Sequence, residues 1–215
     1  MNPNKIETIY RILKKQLKGY SIPIAEQVHV KNKEPFFVLI ATILSARTKD
    51  TTTSKVCNRL FNKIKSFSDI ENSSQKELEK LIYPVGFYRT KAKNLKKLPT
   101  EINDIFLGQI PSEIDDLIKL SGVGRKTANL VRSVAFNKPG ICVDTHVHRI
   151  TNRLGFLKTK SPNETEMELR KIIPKKYWKD TNYLFVILGQ NICFPRNPNC
   201  KNCPINTYCP KINVK

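Results

Sequence analysis

Leu120-Ser121-Gly122-Val123-Gly124-Arg125-Lys126-Thr127-Ala128 is the stretch whose reading decides the fold. Two glycines make a tight turn, and an apolar helix begins at once after them. Upstream, Ser112 and Asp115 after Pro111 form a capping signal, and Ile114, Leu117 and Ile118 supply an apolar face. Downstream, Leu130, Val131, Val134 and Ala135 recur at helical spacing until Pro139-Gly140. The pattern is helix, hairpin, helix. The first turn of a helix leaves backbone N–H groups without intrahelical partners, and with the helix dipole they bind a phosphate. Glycine admits a close backbone approach that a side chain would block.

The same helical period extends outward. Ile6, Ile9, Tyr10, Leu13 and Leu17 mark one amphipathic face. The run from Phe36 to Ala46 is apolar nearly all round, as a central buried helix would be. Asp50 is placed to cap a helix carrying Val56, Leu60, Phe61 and Ile64, and Leu78, Leu81 and Ile82 mark another, stopped by Pro84. Asp144 is placed to cap a helix to about Leu154, and further helices are predicted near residues 164–173 and 182–191. Strand-like alternation is scarce, so the chain reads as all-α, without repeats, and with its best boundary at Pro139-Gly140.

Cys193, Cys200, Cys203 and Cys209 have the spacing C-x6-C-x2-C-x5-C. Four thiolates in one short loop make a cage for iron or zinc. Structural zinc usually takes two short Cys pairs, and here Cys200 and Cys203 form one pair with outliers on both sides. That pattern fits a single iron–sulfur cube better, with zinc left open. Disulfides are disfavoured, because the first residues contain no apolar stretch of a signal peptide and a reducing compartment keeps thiols free. Cys57 and Cys142 read as core residues.

Among 215 residues, Lys and Arg number 38 against 18 Asp and Glu, a formal net charge of +20. The balance points to a polyanion, nucleic acid first and an anionic membrane surface second. A Lys-rich solvated surface accounts for part of it. The longest apolar run, Phe36 to Leu44, falls short of the about 20 residues a membrane span needs. A soluble, intracellular protein is expected. A lone G-x-G is a weak signal, but the flanking helices, Arg125-Lys126 and the charge favour DNA over a plain turn.

Lys126 lies in the first turn of the helix after the hairpin, where the dipole opposes a cation and, with partial burial, favours the neutral amine. A neutral amine can form a Schiff base. The alternative, a lysine pairing with a phosphate, stays open on position alone. Asp144, in Val143-Asp144-Thr145-His146-Val147-His148-Arg149, can both cap its helix and hold a developing cation. His146 and His148 point to different helix faces, which favours structural or DNA-facing roles over metal binding.

With Leu44-Ser45-Ala46-Arg47-Thr48-Lys49-Asp50 and Pro84-Val85-Gly86-Phe87-Tyr88 added, these motifs cover nearly the whole chain. In that order they resemble the endonuclease III family of DNA glycosylases, of the helix–hairpin–helix superfamily. The strings around Asp144 and Gly86 look more like its archaeal and eukaryotic branch.

The resemblance implies two all-α domains: a six-helix barrel over residues 28–138, carrying the hairpin, and a cluster domain from residues 1–27 and 139–215. It implies a groove between them for double-stranded DNA with damaged pyrimidines or abasic sites, with Lys126 and Asp144 at its mouth. The target nucleotide is flipped out. Lys126 attacks the sugar C1′, Asp144 stabilises the positive sugar or moves protons, and β-elimination then cuts the strand. The four cysteines hold a [4Fe–4S] cluster that pins a loop whose Arg196 and Lys201 meet phosphates. Gly122, Val123, Gly124 and Arg125 form the hairpin contact, and His146 is a further DNA candidate. Phe87 matches a wedge position, with a core phenylalanine as the other reading. Arg47 stands where many relatives carry Gln, which leaves the preferred lesion open. The resemblance further implies a monomer, cytoplasmic on a prokaryotic nucleoid, of archaeal source. A monofunctional mismatch glycosylase is disfavoured by Lys126 and by the absence of an extra carboxy-terminal domain. A non-catalytic DNA-binding module is disfavoured by Lys126 together with Asp144. A redox carrier lacks a partner-binding signature.

Overall fold

A computed structural model describes residues 3–20, 23–25, 27–28 and 34–214, and no strand occurs among them. The all-α expectation holds. The chain divides into two compact units, Ile24–Lys138, and Met1–Pro23 with Pro139–Lys215. The first boundary falls at Pro23/Ile24 rather than at 27/28, because Ile24 and Ala25 are buried in the cores of the Ile24–Lys138 unit.

In the first unit, α2 (Pro35–Ser45) is central, with every residue from Phe36 to Leu44 buried. Burying one such aliphatic or aromatic side chain contributes about 1.5–3 kcal/mol. Around it come α3 (Asp50–Phe61), α4 (Phe67–Asn72), α5 (Gln75–Ile82), α6 (Tyr88–Phe106), α7 (Ile114–Leu117) and α8 (Arg125–Ala135). Helix α2 packs on α3, α6 and α8, and α6 packs on α4 and α5. Reciprocal capping boxes, Ser66 with Asp69 and Ser74 with Glu77, fix the starts of α4 and α5.

Cations close the other ends. Arg59 donates to Leu81 O and Tyr83 O after α5. Lys96 Nζ donates to Ile70 O, Glu71 O and Ser73 O at the end of α4. Lys91 Nζ donates to Leu44 O and Ala46 O at the end of α2. Each meets the orphan carbonyls and the negative dipole end. Part of the positive charge is therefore structural.

Three details differ from the sequence reading. Helix α3 begins at Asp50 itself, with Lys49 at the cap position and no side-chain cap. Ser112 does not cap α7, whose cap position is Glu113. Ser112 Oγ instead accepts from Lys138, while Glu113 pairs with Arg132 and Lys138, so these residues are held toward α8 and its exit. Helix α6 was not anticipated: Pro99 suggests a break, yet it is buried on the face formed by Lys91, Ala92, Leu95, Leu98 and Ile102.

In the second unit, α1 (Pro3–Gln16) packs on α11 (Trp178–Asn191), which packs on α9 (Thr145–Arg153); α10 (Pro162–Ile172) packs on α9. Ile6, Ile9, Tyr10 and Leu13 share one core with Leu184, Phe185 and Leu188. Tyr10 Oη and Thr181 Oγ1, 2.7 Å apart, satisfy each other inside it. Residues from both ends of the chain thus build one core. Among the described residues no helix is long and apolar enough to cross a membrane.

Candidate nucleic-acid interface and cysteine cavity

Gly122 in the hairpin has φ +83°, and a Cβ there would meet Asn94 Nδ2 at 3.0 Å. The fold itself demands glycine at this position. At Gly124 a Cβ would meet nothing within 4 Å and φ is −92°. The fold does not demand glycine there, and the bare backbone opens outward. No side chain caps α8. Fewer amides are free than the motif suggests. Ser121 N donates to Glu101 Oε2 at 2.7 Å and Val123 N to Leu120 O at 3.0 Å. Val123 is also buried, so its side chain belongs to the core and not to a surface contact. Gly122 and Gly124 keep amides that no described residue accepts.

Lys126 is exposed, not partly buried, because α8 turns Thr127, Ala128, Val131 and Val134 into the core and Lys126 away from it. No described residue engages its amine. Arg125 beside it is half-buried.

A second constellation joins the end of α2 to the start of α6. Phe87 is 62% exposed, which removes the core reading. It occupies the cap position of α6 with φ 58° and ψ 35°. Arg47 is also left-handed at φ 53°, and its guanidinium lies 5.5 Å from the Phe87 ring centroid. Non-glycine residues held there cost roughly 1–3 kcal/mol each, so the surroundings must enforce them. Gly86 lies so close that a Cβ would sit 2.6 Å from Arg47 O, and Gly86 N donates to Thr48 Oγ1 at 3.0 Å.

Lys126 belongs to the Ile24–Lys138 unit and Asp144 to the other. Asp144 caps α9 as its spacing predicts: Oδ1 accepts from His146 N at 2.8 Å and Val147 N at 2.9 Å. Oδ2 takes no bond from a described residue. His146 is half-buried against Gly189, where a Cβ would collide with its ring, and its Nδ1 lies 3.1 Å from Arg149 Nη2. His148 Nδ1 bonds Thr165 Oγ1 at 2.6 Å, tying α9 to α10. Both histidines make contacts within their own unit, His146 with Gly189 and Arg149 and His148 with Thr165.

Cys193, Cys200, Cys203 and Cys209 are all free and line one small, partly open pocket. Among the described residues no group of three or more His, Cys, Asp or Glu is set to hold a metal ion. Burial first, and then the other cysteines, push the Cys203 and Cys209 thiols up, opposed by the backbone N–H of Ile205 and Lys211. Two arginines of α9 hold this loop. Arg153 donates to Cys193 Sγ at 3.2 Å, Phe194 O at 2.7 Å and Pro195 O at 2.8 Å, and Arg149 to Cys193 O at 2.8 Å. Arg196 and Lys201 are exposed on the loop. Cys57 and Cys142 are buried as predicted, and burial pushes the Cys57 thiol up to about 12.

Glu101, Lys91 and Arg153 escaped the sequence reading. Their partners are backbone atoms or residues 20 to 47 positions away, and no local spacing announces them.

Residues 40–175 match the family model of the HhH-GPD superfamily base excision DNA repair protein. The chain is 42% identical to endonuclease III of Thermotoga maritima over 83% of this chain and 84% of that protein. It is 40% identical to endonuclease III of Bacillus subtilis, over 89% and 87%. The chloroplastic endonuclease III homolog 2 of Arabidopsis thaliana is 44% identical over 81% of this chain and 48% of its own length. These bacterial and plant relatives lend no support to an archaeal source. A non-covalent endonuclease III–DNA complex superposes with a TM-score of 0.87 at 39% identity, covering 98% of this chain and 96% of that one. A trapped endonuclease III–DNA covalent intermediate gives 0.86. With the hairpin, the capping aspartate and the family match in one chain, the protein belongs to the HhH-GPD superfamily of base excision DNA repair proteins, among the endonuclease III homologues.

Proposed function

We propose that this chain is a bifunctional base-excision enzyme, removing oxidised pyrimidines from DNA and cutting the strand at the abasic site. The observation that carries the proposal is an unengaged, exposed amine, Lys126, beside the open backbone of Gly124. Gly122 and Gly124 offer amides to a phosphate, and Arg125 adds charge. The amine of Lys126 attacks C1′ and the bond from C1′ to the base breaks, the base leaving with a proton. The ring C1′–O4′ bond then opens, O4′ taking up a proton, to give a protonated imine. Loss of a proton from C2′ expels the 3′ phosphate, and water releases the sugar from the lysine. Asp144, with Oδ2 spare, stabilises the positive sugar or relays protons. Phe87 fills the stack left by the flipped nucleotide, and Arg47 faces the gap opposite the orphan base.

Cys193, Cys200, Cys203 and Cys209 would hold a [4Fe–4S] cluster. Four free thiols lining one pocket, at the spacing C-x6-C-x2-C-x5-C, are the donor set such a group takes. Such a cluster would supply a structural staple for the loop that presents Arg196 and Lys201 to phosphates.

Borohydride reduction with an abasic-site duplex tests the reading. The wild type should become covalently joined to the DNA and Lys126→Ala should not. Full trapping by the variant would refute the assigned nucleophile. Iron and sulfide, each about four per chain, are expected for the cluster, and stoichiometric zinc in a colourless protein would refute it.

A further inference from the structure

Lys91 is a buried lysine, 7% exposed, on the inner face of α6. An ammonium has three donors, and here all are used: Leu44 O at 2.7 Å, Ala46 O at 2.7 Å and Thr48 Oγ1 at 3.2 Å. All three acceptors flank Arg47. Thr48 Oγ1 also accepts from Gly86 N at 3.0 Å, and Gly86 is the residue before Phe87. No carboxylate is bonded to the ammonium among the described residues. A buried cation is a costly choice for an ordinary cap, and an apolar side chain would suit the core of α6 better. What it does here is bind together the turn that carries Arg47 and the turn that carries Phe87, both left-handed and in contact.

We infer that Lys91 is a positioning residue for lesion recognition: it clamps the 46–48 turn so that Arg47 stands over Phe87, the pair then acting on DNA as one unit. Lys91 touches neither substrate nor the reacting atoms. The inference rests on the roles of Arg47 and Phe87 proposed above, and two kinds of measurement separate its failure from theirs.

The first needs no DNA. Hydrogen exchange should show Gly86 N–H losing protection in Lys91→Met at least tenfold, while the amides in the middle of α2 and α6 keep theirs. Unchanged protection at Gly86 would overturn the clamp, and loss throughout α2 and α6 would reduce Lys91 to a general core residue, which also overturns it.

The second uses duplexes with a single thymine glycol or an abasic site. Lys91→Met should weaken single-turnover excision about tenfold at subsaturating enzyme, and should cost nothing further in an Arg47→Ala background, because coupled residues are non-additive. Lys91→Arg, which keeps charge and donors, should recover part of the loss. Losses that multiply fully in the double variant would overturn the inference. If wild-type protein neither excises nor traps, the proposed function fails while the exchange result still decides the clamp.

Discussion

Arg47 and Phe87 lie on different helix ends, yet the guanidinium of one sits 5.5 Å from the ring centroid of the other, and both have positive φ. A cation over an exposed aromatic face is worth about 0.5–1 kcal/mol, too little to justify two strained residues by itself. The arrangement makes sense as a pre-formed tool for an outside partner. Phe87→Ala should therefore leave unfolding free energy within about 1 kcal/mol of wild type. Excision of a damaged base should fall about tenfold or more, since the cost of unstacking is no longer offset. Trapping on a ready-made abasic site should fall less. Equal losses on both substrates would count against the wedge.

The two hairpin glycines should behave differently. Gly122→Ala forces a side chain into positive φ and against Asn94, and should cost about 1–2 kcal/mol in denaturant unfolding. Gly124→Ala meets open space, so stability should change by under about 1 kcal/mol, while DNA affinity falls. Were Gly124→Ala to bind DNA as wild type does, this backbone would not be a phosphate site.

Asp144 carries a cap and, as proposed, a charge. Asp144→Asn keeps the cap acceptor, and Asp144→Ala loses it at about 0.5–2 kcal/mol. Both should lose excision to a similar extent. If Asn restores activity along with stability, the carboxylate acts only as a cap.

Arg153 gives the cysteine loop its donors. Arg153→Met leaves Phe194 O and Pro195 O without them, at about 0.5–1.5 kcal/mol for each of these part-buried acceptors. Iron content per chain should drop, and proteolysis should begin within residues 194–208. If the loop holds the proposed cluster, stripping its iron from wild type with a chelator should expose the same cleavage sites, read by mass spectrometry, while helicity is largely kept.

Burial pushes the Lys91 ammonium from its ordinary 10.5 to about 8. Between those values the unfolded chain holds a proton that the folded chain has released, so this group favours folding more as pH rises through about 8 toward 10.5. The stability difference between wild type and Lys91→Met should shift in favour of wild type across that window in urea titrations. A constant difference would mean that the three hydrogen bonds hold the charged form against burial.

Periodicity and short motifs read many helices correctly, because amphipathic spacing and capping are local. Asp144 illustrates this: its spacing from an apolar run was enough to predict a cap. Helix α6 illustrates the limit, since Pro99 argues for a break along the chain and only packing against α4 and α5 compensates for it. Phe87 is a similar case. Nothing in its neighbours distinguishes a core ring from an exposed one until the turn at 46–48 is brought against it.

By itself the sequence determined the helical class, the hairpin with Lys126, the aspartate cap and the four thiols in one loop. These are set by chemistry within a few residues of chain. Which cations are structural, that Lys126 is bare and Val123 is not, and that Arg47 meets Phe87 were decided only by tertiary structure. Those outcomes depend on which distant carbonyls are left unpaired at helix ends, and the chain must be folded before any side chain can reach them.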